Sequence, residues 1–223
     1  MTNRTVLLIT LLFVVPFCTF ASPLAIVNSS FESDVLPLNS ITLGSIIGWT
    51  APGTQGAWAP TALRFNLGGS PGLVTNPATG INGSNVAFST GGTISQTLAS
   101  TLTATAGMVY TLSVDVGRRF DIPDLNYSIA LFAGATQLAS IFDPVSPAPG
   151  TLSFATLQYT STGSEAVIGQ NLSIQLITTA GAGAQTVYDN VTLDVGAPEP
   201  ASALLMLTGI GVVYLTKRKR VSR

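Results

Sequence analysis

The chain has 223 residues, only 9 % of them charged, with no histidine and a single cysteine. That excludes Ser-His-Asp and Cys-His catalysis, the usual His/Cys zinc sites and an intrachain disulfide, while 46 % hydrophobic residues suffice for one domain with a core. The net charge of −1 hides an asymmetry: Lys217, Arg218, Lys219, Arg220 and Arg223 crowd one end and Arg4 the other, so residues 22–197 keep Arg64, Arg118 and Arg119 against Glu32, Asp34, Asp115, Asp121, Asp124, Asp143, Glu165, Asp189 and Asp194, a mildly acidic balance unsuited to nucleic acid.

Arg4 precedes the apolar run Val6–Phe17, and Thr19 and Ala21 suit the −3 and −1 positions of a cleavage site. Residues 1–21 therefore read as a secretory signal peptide, cut near Ala21 or Ala25; an uncleaved anchor is the other reading. From Ile26 to Val195 no helix is predicted. Glycine and proline divide this span into short segments, several of which alternate with period two.

Weak strands are expected near Ala25 and Ala87, and a strand over 94–98. Val109–Val116 sets Tyr110, Leu112, Val114 and Val116 on one face, and Tyr127–Phe132 alternates likewise. Strands follow at 137–141 and 152–160, the latter with a phase slip near Ala155 that suggests a bulge. Leu172, Ile174 and Leu176 share a face, and Val187–Val195 closes the domain. About nine short strands with Gly/Pro-rich loops predict an all-β, jelly-roll-like antiparallel β-sandwich over residues 22–196.

The remaining 197–223 holds Pro198-Glu199-Pro200, the apolar run Ala201–Thr216 and the basic cluster. An apolar run of that length spans roughly 24 Å as a helix, a short transmembrane helix with its basic end cytoplasmic and the sandwich outside. An ordinary tail anchor fits these features. Their order resembles the PEP-CTERM sorting signal, which implies export in a Gram-negative bacterium that makes an extracellular polysaccharide matrix. On that resemblance an exosortase is the partner, recognising Pro198, Glu199 and Pro200, and the protein passes the inner membrane on its way to the envelope, surface or matrix.

Asp189 shares its parity with Val187, Val191, Leu193 and Val195, so its carboxylate is expected to point toward a buried face. A buried carboxylate needs a proton, N–H donors or a cation. Calcium, with Asp189, Glu32 and Asn28 as ligands, is one solution, because hard oxygens suit it and first and last strands are often neighbours. Backbone N–H groups around an Asp189 at the strand's start are the other.

Asn28-x-x-Phe31-Glu32 followed by Gly48-Trp49 resembles the opening of secreted carbohydrate-binding-like β-sandwiches. Residues 110–117, Leu131-Phe132-Ala133-Gly134, Tyr159-Thr160-Ser161-Thr162 and Tyr188-Asp189-Asn190-Val191 resemble the calcium-dependent Stig cyclases, which close isonitrile indole–terpenoid intermediates. That resemblance implies a calcium-bearing jelly roll and acid catalysis by an aspartate near the last strand, here Asp189. Tyr110, Phe120, Tyr127 and Phe132 could line the apolar pocket a cyclase needs.

Three functions compete. The leading one is a noncatalytic module binding polysaccharide, with Trp58 and Tyr127 as stacking platforms and Trp49 in the core. The alternative is a cyclase or isomerase using Asp189. The third is a glycosidase pairing Asp115 with Asp121 or Asp124.

Overall fold

The computed structural model describes residues 21–67, 78–122, 126–179 and 184–197. The predicted signal peptide over residues 1–21 (all but Ala21), Asp124, and the predicted sorting motif at Pro198-Glu199-Pro200 with its apolar run and basic tail lie outside the described residues. No helix among the described residues is long and apolar enough to cross a membrane.

Ten strands appear in chain order: β1 Ser22–Pro23, β2 Gly56–Trp58, β3 Val86–Ser89, β4 Gly92–Thr101, β5 Val109–Gly117, β6 Tyr127–Ala133, β7 Thr136–Phe142, β8 Leu152–Thr160, β9 Asn171–Thr178 and β10 Thr186–Gly196. They form two antiparallel sheets. One runs β2-β3-β10-β5-β8, with β1 beside the far end of β10; the other runs β4-β9-β6-β7. The fold is the expected all-β sandwich. First and last strands do pair, Ser22 opposite Val195.

Period-two alternation decides which side chains enter the core. On β5, Tyr110, Leu112, Val114 and Val116 are buried; on β9, so are Leu172, Ile174 and Leu176. They meet Ile94, Ile129, Leu131, Val191 and Leu193 between the sheets. Each such side chain contributes about 1.5–3 kcal/mol by leaving water. Trp49 joins this core. Tyr127 and Tyr188 meet edge to face, centroids 6.4 Å apart, with their hydroxyls bonded to Val145 and to Thr178 respectively.

The expected bulge at Ala155 is absent. β8 pairs with β5 without a break from Leu152 to Thr160. The apparent slip is Phe154, which faces solvent at 60 % exposure while Ala155 and Leu157 point inward. A bulge does occur in β10, where the ladder to β5 shifts between Asp189 and Thr192 and Asn190 adopts a φ of 47°. Strand β2 escaped the sequence reading because three residues carry too little alternation to register.

A second apolar cluster covers the outer face of the larger sheet. Trp58, Phe65, Ala78, Val86, Phe88 and Val187 pack there, with Ile81 and Leu152 beside them. Phe65 belongs to a π-helical turn over Leu63–Leu67. This sheet is thus apolar on both faces, unlike a simple sandwich with one wet side.

Candidate functional site

The bulge in β10 decides where Asp189 points. Tyr188 enters the core between the sheets, whereas Val187 joins the outer cluster. Asp189, two residues from Val187, shares its outer face, and it lies opposite Asp115 of β5. Beyond Asn190 the phase flips, returning Val191 and Leu193 to the core. The parity argument for Asp189 is therefore corrected. The side chain is fully buried, but on the opposite face from Val191 and Leu193.

Backbone donors surround the carboxylate. Asn82 N–H donates to Oδ2 at 2.6 Å and Asn190 N–H to Oδ1 at 2.7 Å. The same loop serves Glu32, whose Oε1 accepts N–H bonds from Ser84 at 2.9 Å and Asn85 at 2.7 Å. Gly83 between them has a φ of +86°, and a Cβ there would lie 2.5 Å from Glu32 Cδ, so the loop requires glycine. Val191 N–H closes the arrangement on Ser29 O at 2.9 Å.

Burial pushes the Asp189 carboxyl up to about 7, the N–H bonds from Asn82 and Asn190 pull it back, and the charges of Asp115 and Glu32 push it further up. A carboxyl in that range is protonated for part of its time at neutral pH. It can give a proton and take one back.

Of the calcium trio, Asp189 and Glu32 meet at the same loop, whereas Asn28 is engaged elsewhere. Asn28 donates its amide to Asp34 and to Ile47 O, and its Oδ1 accepts Ser33 N–H. Both Asp189 oxygens and Glu32 Oε1 accept N–H bonds. Calcium takes six to eight oxygens; the buried oxygen left without a partner nearby is Asn85 Oδ1. Among the described residues no group of three or more His, Cys, Asp or Glu could hold a metal. Calorimetry of the full-length protein with and without chelator tests the metal: a drop in melting temperature reversed by added calcium would show it, and an unchanged melting temperature would leave the carboxylates to their N–H donors.

The other predicted residues are dispersed. Tyr127 is wholly buried and Trp58 is 6 % exposed, so neither presents a ring face to solvent for a sugar. Tyr110 and Tyr127 lie in the inter-sheet core, while Phe120 is half exposed. Asp121 pairs with Arg119 at 2.5 Å and does not face Asp115, which receives the side-chain amide of Asn190 at 3.4 Å.

A cavity of about 190 Å³ lies against the outer cluster, lined by Asn39, Ile41, Trp58, Arg64, Phe88, Arg119 and Gln185. Phe88 and Val187 are ladder partners, and Asp189 sits two residues further along β10 on the same face. That offset is roughly 7 Å along the strand. Asp189 does not itself line the cavity. The sequence reading passed over Arg64, Phe88, Arg119 and Gln185. The available signal was the scarcity of cations, since two of the domain's three arginines meet here.

Comparison with known proteins agrees with this architecture. A family model described as HpiC1-like, HpiC1 cyclase, matches residues 22–194. An apo-form cyclase from Fischerella sp. is 26 % identical, with 80 % of this chain and 98 % of that one covered and a TM-score of 0.64. The Stig cyclase Fisc from Fischerella sp. TAU, in complex with (3Z)-3-(1-methyl-2-pyrrolidinylidene)-3H-indole, is 23 % identical over 81 % of this chain and 100 % of its own, at a TM-score of 0.63. A cyclase from the same source in complex with 4-(1H-indol-3-yl)butan-2-one is 24 % identical over 80 % and 100 %, at 0.62. No curated protein matches.

Proposed function

The chain belongs to the HpiC1-like cyclase family, and from that premise we propose that it is an acid-catalysed cyclase or isomerase in which Asp189 is the proton donor. The observation that carries the reading is a fully buried carboxyl on the sheet face that also bears a cavity lined in part by Trp58 and Phe88. Protonating a carbon–carbon π bond transfers the Asp189 proton to carbon and leaves a carbocation. A second π bond of the same molecule closes the ring on that cation, and loss of a proton back to the Asp189 carboxylate restores the acid. The reaction is then a net isomerisation. The N–H groups of Asn82 and Asn190 stabilise the carboxylate during the interval when it carries charge.

This reading takes precedence over a noncatalytic polysaccharide-binding module, because the family model is that of a cyclase and Tyr127 is wholly buried. We carry forward from the sequence that the protein is exported, and that an exosortase removes its tail at Pro198-Glu199-Pro200. The support is Arg4 with its apolar run at one end, and the motif, apolar run and basic cluster at the other. Fractionation that recovers the uncut chain in the cytosol would contradict that route.

The test is turnover of a panel of prenylated and geranylated indoles by the full-length protein in D2O. Wild type is expected to yield an isomer carrying one carbon-bound deuterium. Asp189→Asn is expected to turn over about 10²–10⁴-fold more slowly, the usual contribution of a general acid. Equal turnover by the variant would overturn the assignment.

A further inference from the structure

The loop that holds Asp189 and Glu32 contains the one asparagine of the chain that is followed by glycine, Asn82-Gly83. Asparagine is among the chemically labile side chains. Its weak point is its own main chain, because the nitrogen of the next residue can attack the side-chain carbonyl carbon, Cγ. A glycine in that next place leaves the approach open, since it carries no Cβ. Asn82 and Gly83 are both exposed, so water reaches them.

The attacking nitrogen and the leaving amide set Asn82 apart from the other described asparagines. At Asn39 the Ser40 N–H is held by Pro37 O at 3.0 Å, and at Asn190 the Val191 N–H is held by Ser29 O at 2.9 Å. At Asn126 the Tyr127 N–H is held by Asp143 Oδ1 at 2.8 Å. Asn28, Asn66 and Asn171 have side-chain amides fixed on Asp34, Gly150 O and Leu98 O at 2.8, 2.9 and 2.7 Å. Asn85 is buried. Gly83 N–H has no acceptor among the described residues, although Asn82 and Ser84 on either side give theirs to Asp189 and Glu32. The amide that has to leave, Asn82 Nδ2, is held by Asn190 Oδ1 at 3.3 Å in an exposed place.

We propose that Asn82 is a modification site, converted with water to aspartate and isoaspartate. A bond forms between Gly83 N and Asn82 Cγ, the Cγ–Nδ2 bond breaks, and Nδ2 leaves as ammonia with the proton of Gly83 N. Water then opens the cyclic imide at one of its two carbonyls. Opening at Cγ gives aspartate. Opening at the main-chain carbonyl gives isoaspartate, with the side-chain methylene now part of the main chain. Either product sets a new carboxylate in the loop beside Glu32 and Asp189, and like charges held close repel. Isoaspartate also lengthens the loop between the N–H on Asp189 and those on Glu32. The loop therefore loosens as the protein ages, whether or not Asp189 acts as an acid.

The test incubates the folded full-length protein at neutral pH and physiological temperature over days, beside the chain unfolded in denaturant. Peptide mass spectrometry reads conversion at each asparagine, and labelling by an isoaspartyl methyltransferase reads the isoaspartate. Residue 82 is expected to convert first, mainly to isoaspartate. The converted protein is expected to melt several degrees below the fresh one, through loss of N–H bonds to carboxylates. In Asn82→Gln the same attack has to close a larger ring, so that variant is expected to lose the label and to keep its own fresh melting temperature. An intact amide at residue 82 of the folded protein while the unfolded chain converts would overturn the proposal. So would earlier conversion at another asparagine, labelling of folded Asn82→Gln equal to wild type, or an unchanged melting temperature in the converted protein. Equal turnover by Asp189→Asn would overturn the acid and leave this inference standing.

Discussion

From about pH 5 to pH 7 the melting temperature of the full-length protein is expected to fall as pH rises and to level off above about 7, and Asp189→Asn is expected to lose that slope. The sign follows from linkage. Asp189 titrates near its ordinary 3.8 in the unfolded chain and at about 7 in the fold. Between those values the native state binds more protons than the unfolded state, so stability falls as pH rises. The contribution is fully present below about 4 and lost once pH passes about 7. A displacement of about three units corresponds to at most about 4 kcal/mol. In a domain of this size each kcal/mol moves the melting temperature by about 2–4 °C.

The chain's composition isolates the signal. It has no histidine, the side chain that normally titrates in this window. The acids facing Asp189 are Asp115 and Glu32, and both couple to it by charge. Calorimetry at a series of pH values is the measurement. A flat wild-type profile would mean that the carboxyl stays ionised.

The second large effect concerns the core. Ile174 occupies the middle of β9, is completely buried, and lies opposite Leu131 on one side and Gln96 on the other. Ile174→Ala is expected to cost about 2–5 kcal/mol in denaturant unfolding, from lost transfer energy and the cavity left behind. Phe154→Ala removes a larger side chain from the solvent face of β8 and is expected to change stability by less than about 0.5 kcal/mol. Comparable losses at the two positions would contradict the assigned facing of β8.

Those two residues also show how far the sequence could be read. Alternation at Tyr110, Leu112, Val114 and Val116, and at Leu172, Ile174 and Leu176, predicts faces that the structure fills, because an unbroken strand keeps its phase. Phe154 defeats the same reasoning. A large apolar side chain pointing outward resembles a slip in register when no neighbour is known. Asp189 shows the converse. Burial was legible from its apolar surroundings, but the face was not, because Asn190 enters the left-handed region and reverses the phase within one residue. No periodicity reports a bulge of that kind.

The site was less legible than the fold for a related reason. Its parts come from separate places in the chain. Asn82 and Asn85 approach Asp189 and Glu32 across more than fifty residues of sequence, through backbone N–H groups that no side-chain identity announces. Arg64, Phe88, Arg119 and Gln185 likewise converge only because β2, β3 and β10 lie side by side. The one trace of this in the sequence is a domain so poor in cations that two of them meeting is informative.

Everything functional in this account turns on whether Asp189 holds its proton near neutrality. The direct measurement is a ¹³C titration of the aspartate side-chain carboxyls in the full-length protein, with Asp189→Asn assigning the resonance. A midpoint near 7 for the signal that disappears in the variant is the predicted result. A midpoint near 4 would contradict it, leaving a carboxylate permanently charged beneath the outer cluster and no acid for the cyclisation.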